Sequence, residues 1–191
     1  MRESDIDFSN ILSINLDEYV GLSKYDPNSY HSFMHEHLFN SKPFKKNYML
    51  DGMGDEKEEC RRFEKIILNN PIDVQILGIG ANGHIGFNEP GTSFDTRTQK
   101  VALSQSTIES NTRFFRSEKN VPRFAYSMGV QSILSAKHII LLAFGKNKSA
   151  AIKAALNGPI TETVPASILQ KHNHVTIILD EEAAQLLGEN E

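Results

Sequence analysis

Four apolar runs of strand length, residues 11–15, 74–78, 139–144 and 175–179, are separated by stretches whose apolar residues fall at helical spacing. Because those runs are mostly continuous rather than alternating, they read as strands buried on both faces, the pattern of a parallel sheet with helices on each side. Tyr30, Phe33, Met34, His37 and Leu38 follow Asn28 and Ser29 at helical intervals, and Phe63, Ile66 and Ile67 do so after Asp55. A third helix spans residues 148–157, closed by Gly158. The expected fold class is therefore α/β with a mostly parallel sheet, a sheet type that binds ligands at the carboxyl ends of its strands.

With 191 residues and no repeat, low-complexity tract or linker-like shift in composition, the chain reads as a single domain over residues 1–191. A net charge of -4 gives no basic surface for a polyanion, so nucleic acid is not an expected partner. Cys60 has no second cysteine to pair with and reads as a reduced thiol. The first ten residues, MRESDIDFSN, contain no apolar leader, and no run is long enough to span a membrane. A cytoplasmic protein is expected.

The run at 74–78 leads into GIGANGHIGFNEP, which sets Asn82, His84, Asn88 and Glu89 in one short loop at a strand end. Residues 78–83 satisfy the G-x-G-x-x-G spacing of dinucleotide sites, but Pro90 and Gly91 follow where a helix should begin. No acidic residue occurs about 20 positions on to hold a ribose, since 99–104 reads QKVALS. Gly80, Ala81 and Gly83 instead let the backbone turn sharply and approach a small ligand, with His84 and Glu89 as a titratable pair. Asp17, separated from the run at 11–15 by Leu16 alone, occupies the same kind of strand end. In a parallel sheet it is expected to face the same crevice as the His84 loop. Taken alone it is equally readable as a turn residue.

Together LDEYVGL, GIGANGHIGFNEPG, NTRFF and PASILQ resemble the signature set of the glucosamine-6-phosphate deaminases, from about Ile11 onward. The resemblance implies a Rossmann-like three-layer sandwich and the conversion of glucosamine 6-phosphate to fructose 6-phosphate and ammonia in the catabolism of amino sugars. It places the activity among the hydrolases. It further implies that Asp17 moves a proton between C2 and C1, that His84 assists ring opening, and that Asn82 and Glu89 orient its imidazole. Arg113 in NTRFF and Lys148 in GKNKSA match the family's phosphate-binding cations, although each is otherwise readable as a solvated surface charge. Acid and base steps suffice for such chemistry, so no cofactor or metal is expected. His31 and His35, one helical turn apart, lack an obvious third ligand and read as packing or surface groups.

The resemblance also marks departures. The family opens with a strand, a helix and a second strand ending in a glycine-rich phosphate loop, for which this sequence has no counterpart and no Gly-Gly pair. A shortened sheet lacking the family's first strands is the expectation. Arg97 is retained from a basic effector site of hexameric relatives, whereas Gln99 and Val101 stand at its other basic positions, which favours a monomer. Three competing readings are a 6-phosphogluconolactonase-like hydrolase, a sugar-phosphate sensor of the same fold and an inactive fragment.

Overall fold

The computed structural model describes residues 3–188; the remaining residues, Met1 among them, lie outside it. The chain divides into two compact units, residues 3–66 with 100–127 and residues 67–99 with 128–188.

In the first unit, β1 (Leu12–Ile14) and β2 (Asp17–Tyr19) are followed by α1 (Tyr30–Met34), which runs on into a wider π-helical turn over His35–Phe39. Ser29 caps α1, its hydroxyl accepting from the Ser32 N–H. Then come β3 (Lys46–Tyr48) and α2 (Glu56–Asn69), which runs on into the second unit. The buried Glu59, Phe63 and Ile67 of α2 recur every fourth residue, one stripe of the helix. Strand β1 pairs parallel with β3, Leu12 beside Lys46.

The second sheet of this unit is closed by residues far away in sequence. Strand β2 pairs antiparallel with a later strand, 124–127, Asp17 opposite Ser127. The order there is 17–19, 124–127, 99–102. None of these strands exceeds four residues, and they carry Asp, Glu and Lys, so pairing and burial make them strands rather than local propensity.

In the second unit, β4 (Val74–Gly78) follows α2; it is joined after β5 (Gln99–Ala102), α3 (Gln105–Asn111), β6 (Phe124–Ser127) and α4 (Val130–Leu134) by β7 (His138–Ala143). Then α5 (Ser149–Leu156) and a 3-10 helix at Pro165–Lys171 lead to β8 (Val175–Leu179) and α6 (Glu181–Ala184). Strands β4, β7 and β8 form a parallel sheet in that order, Leu77 beside Leu141 beside Ile177. The α/β, mostly parallel architecture expected from the sequence is present.

Burial differs from the expectation of strands covered on both faces. Along β4 it alternates: Gln75 and Leu77 are buried while Val74 and Ile76 are exposed. Apolar content therefore marks the strand, but not how many of its faces are covered. Among the described residues no helix is long and apolar enough to cross a membrane.

Candidate active site

Strand β4 delivers the chain to Ile79, which is buried, and the loop that follows folds back on itself. The Gly80 N–H donates to the His84 carbonyl at 2.9 Å and the Gly83 N–H to the Gly80 carbonyl at 3.0 Å. Gly83 has φ +86°, and a Cβ there would lie 2.8 Å from Val164 Cγ1. Glycine is needed at this position for both backbone angle and space. The PAS segment supports the loop from beneath, Ala166 N–H donating to the Gly83 carbonyl at 2.9 Å. Its 3-10 helix starts at Pro165, whose missing N–H costs nothing at a helix start.

Three side chains of this loop form one hydrogen-bonded chain. Asn82 Nδ2 donates to Glu89 Oε2 at 2.8 Å, which turns Asn82 Oδ1 toward His84, where it lies 2.7 Å from Nδ1. An amide oxygen only accepts, so His84 Nδ1 carries the proton, and in the neutral ring Nε2 keeps its lone pair. That assignment follows from the bonding partners of Asn82. Glu89 Oε2 is 3.5 Å from Nδ1, close enough to pair with the imidazole when it is protonated. The His84 side chain retains 23% of its exposure and Glu89 14%, so both are largely enclosed. Behind them Asn88 is fully buried, its amide donating to the Ile85 and Met128 carbonyls and pinning the loop's far end.

Lys148 stands at the same carboxyl edge of the second unit's sheet, in the 3-10 turn Lys146–Lys148 that follows β7 and immediately precedes α5. The turn is fixed from β8: Asp180 accepts from the Gly145 N–H at 2.9 Å and also caps α6. Strand ends β4, β7 and β8 thus present the His84 loop, Lys148 and Asp180 along one edge.

The remaining expected site residues belong to the first unit. Asp17 opens β2, where desolvation, reinforced by the neighbouring Glu18 carboxylate, pushes its pKa up to about 7. The residue as a whole keeps part of its surface accessible although its carboxylate is buried. Arg113 lies exposed in the 3-10 turn Thr112–Phe114, its guanidinium 4.7 Å from the centre of the Phe114 ring.

Sequence reading missed the neighbour that reinforces the desolvation of Asp17. Glu18 is 2% exposed, and its carboxylate accepts from the N–H groups of Tyr19 (2.9 Å), Tyr30 (3.0 Å) and His31 (2.9 Å). It thereby ties the end of β2 to the first turn of α1. Burial nonetheless holds its pKa above the usual carboxylate range. Tyr30 and Tyr19 stack at 5.2 Å, and burial raises both phenols, Tyr19 to about 12. The Asp-Glu doublet was the available signal, but only the fold shows that Glu18 is held by three backbone N–H groups.

No group of three or more His, Cys, Asp or Glu among the described residues is arranged to hold a metal ion. His31 and His35 stack on each other, ring centres 4.7 Å apart, consistent with packing groups.

A family profile described as glucosamine-6-phosphate isomerases/6-phosphogluconolactonase matches residues 1–178. A glucosamine-6-phosphate deaminase of Ligilactobacillus salivarius is 58% identical over 186 residues, 97% of this chain and 80% of that protein. One from Listeria monocytogenes has the same identity and coverage. A solved structure described as a monomeric glucosamine-6-phosphate deaminase superposes with a TM-score of 0.92 at 47% identity, over 95% of this chain and 77% of that one. The 6-phosphogluconolactonase of Leishmania guyanensis, at 22% identity and a TM-score of 0.69, shares the fold alone.

Proposed function

The chain belongs to the family of glucosamine-6-phosphate isomerases and 6-phosphogluconolactonases, and we propose that within it the chain is a glucosamine-6-phosphate deaminase. The observation that carries this reading is identity of 58% to a deaminase across nearly the whole chain. The expectation of a hydrolase is corrected. The near relatives are named deaminases and the lactonase likeness shows the fold alone, so the defining chemistry is an aldose–ketose proton shift with loss of ammonia.

His84, neutral with its proton on Nδ1, uses Nε2 to move a proton from the anomeric hydroxyl to the ring oxygen, and the pyranose opens to the aldehyde. Asn82 and Glu89 hold that tautomer. Asp17, ionised, takes the proton from C2 and returns it at C1, while a second proton passes from the amine nitrogen to the C1 oxygen, so C1 is reduced to an alcohol as C2 is oxidised from amine to imine. Water then takes the place of nitrogen at C2, leaving fructose 6-phosphate and ammonia. A pKa near 7 suits this shuttle, because the group must both accept and release a proton at neutral pH. Arg113 and Lys148 supply charge-assisted donors to the phosphate dianion, and Gly80, Ala81 and Gly83 leave room for the sugar.

We further propose that residues 1–191 serve as one catalytic domain, monomeric like the solved relative, and act in the cytoplasm, where a phosphorylated sugar is retained because its charge bars it from the bilayer. Ammonia release from glucosamine 6-phosphate by the purified chain tests the reading. Ammonia formed in proportion to fructose 6-phosphate is the expected result. Hydrolysis of 6-phosphogluconolactone in its place, or binding of sugar phosphate without turnover, would overturn it.

A further inference from the structure

The first unit carries a cavity of about 610 Å³ around β3 and the residues that leave its carboxyl end. Strands β1 and β3 are parallel, and ligands gather where parallel strands end. All its lining residues fall within 18–66, so it belongs to this unit alone, and neither Asp17 nor Arg113 is among them.

The lining is unevenly charged. Lys24, Lys46 and Arg62 reach it from three separate segments. Arg62 is committed to Glu59, at 2.6 Å, and to the Met49 carbonyl. Lys24 and Lys46 are not: among the described residues neither ammonium pairs with a carboxylate. Each lies over a ring instead, Lys24 at 5.0 Å from the centre of Tyr25 and Lys46 at 4.8 Å from that of Tyr48. The two acids of the lining have other work. Glu18 is spent on three backbone N–H groups, and Asp51 accepts from the Met53 N–H at 2.9 Å.

The rest of the lining is apolar or flat. Met49, Leu50 and Ile66 supply aliphatic surface, while His31 and His35 add a pair of stacked imidazoles. Tyr25 is 81% exposed, its ring left free to stack on an incoming group. Two uncommitted ammonium groups suit phosphate oxygens, and an exposed phenol beside them suits a heteroaromatic ring. The volume lies within the roughly 300–1,000 Å³ of small-ligand sites, far more than a bare phosphate ion fills. A sugar phosphate would leave Tyr25 unused, which favours a nucleotide.

We propose that this cavity binds a nucleotide, its phosphate held by Lys24 and Lys46 and its base stacked on Tyr25.

The purified 191-residue chain is titrated calorimetrically with AMP, ADP, UMP and GMP, and with adenosine, inorganic phosphate and fructose 6-phosphate. The expected result is one-to-one binding of at least one nucleotide, about tenfold or more tighter than adenosine or phosphate. Amide hydrogen exchange should slow across 24–35 and 46–53. Lys24→Gln and Lys46→Gln should each weaken that nucleotide about tenfold, since each removes a charge-assisted donor. Tyr25→Ala should weaken it about fivefold or more and leave inorganic phosphate unaltered. All three side chains are exposed, so circular dichroism should hold. Lys65→Gln makes the same change of charge on an exposed α2 residue outside the lining and should bind like the parent chain. Excess fructose 6-phosphate should not displace the nucleotide. No binding by any of the four nucleotides overturns the proposal, as does equal affinity in Lys24→Gln and Lys46→Gln. Equal binding of nucleotide and inorganic phosphate overturns it in favour of a bare anion site. Displacement by fructose 6-phosphate, or loss of binding in Lys148→Ala, puts the nucleotide in the candidate active site and overturns it too. Binding is read without turnover, so failure of the deaminase assay would leave this result standing.

Discussion

The imidazole of His84 lies directly against the backbone of Gly80: a Cβ on residue 80 would fall 2.3 Å from both Nδ1 and Cε1. Gly80→Ala should therefore expel the ring from its bond to Asn82 while leaving most of the fold in place, at a cost of about 1–3 kcal/mol. Turnover should fall at least tenfold. Enzyme kinetics with a denaturant titration checks both numbers; full activity would mean that His84 works from another position.

Asp17→Asn should abolish exchange of the C2 proton while leaving affinity for a substrate analogue nearly intact, because the amide keeps the shape and loses the base. In the parent chain, kcat/KM should climb with a midpoint near pH 7 as the carboxylate ionises. Solvent-deuterium incorporation and a pH–rate profile are the measurements. Exchange that survives the substitution removes Asp17 from this role.

Stability should respond to the same group. Its folded pKa of about 7 exceeds the ordinary 3.8, so between those values the folded state binds more protons than the unfolded one. This group's contribution therefore declines as pH rises from about 4 to about 7 and stays low above that, a cost of at most about 4 kcal/mol. Asp17→Asn should raise the thermal midpoint at pH 8 by several degrees and leave it nearly unchanged at pH 4. A gain that is equal at both pH values would contradict the assignment.

Asn82→Leu removes the acceptor that holds the proton on His84 Nδ1 without a large change of volume. Ring opening should slow by roughly 10²-fold, the usual scale for a misplaced acid–base group. His84→Ala should slow it at least as much. Pre-steady-state comparison of closed-ring substrate with an open-chain analogue separates this step from proton transfer, and equal losses on both would count against the role.

Lys148→Ala and Arg113→Ala should each raise KM for glucosamine 6-phosphate about tenfold or more, and the loss should grow at low ionic strength, where charge-assisted binding is strongest. If neither changes KM, both are solvated surface cations.

Much of the second unit was readable in the sequence because its strands are continuous apolar runs. The expected spans 74–78 and 175–179 are β4 and β8, and the expected 139–144 and 148–157 differ by a residue or two from β7 and α5. The first unit was less readable. DEY, KNY and FAYS carry no run or period, and β2 exists because Asp17 pairs with Ser127, far along the chain.

The loop from Gly80 to Glu89 was visible for a local reason: its glycines and its His, Asn and Glu lie within ten residues, so spacing alone brings them together. The sequence by itself determined the α/β class, the family and the residue types available for acid–base work. The tertiary structure decided how those residues are tuned: which His84 nitrogen holds the proton, that Glu18 is spent on the first turn of α1, that Asp17 is pushed toward neutrality, and that one sheet face stands open. The placing of Glu18, the tuning of Asp17 and the open sheet face depend on desolvation or on partners distant in sequence, whereas the His84 proton is set by Asn82 inside the same loop once the backbone folds back on itself.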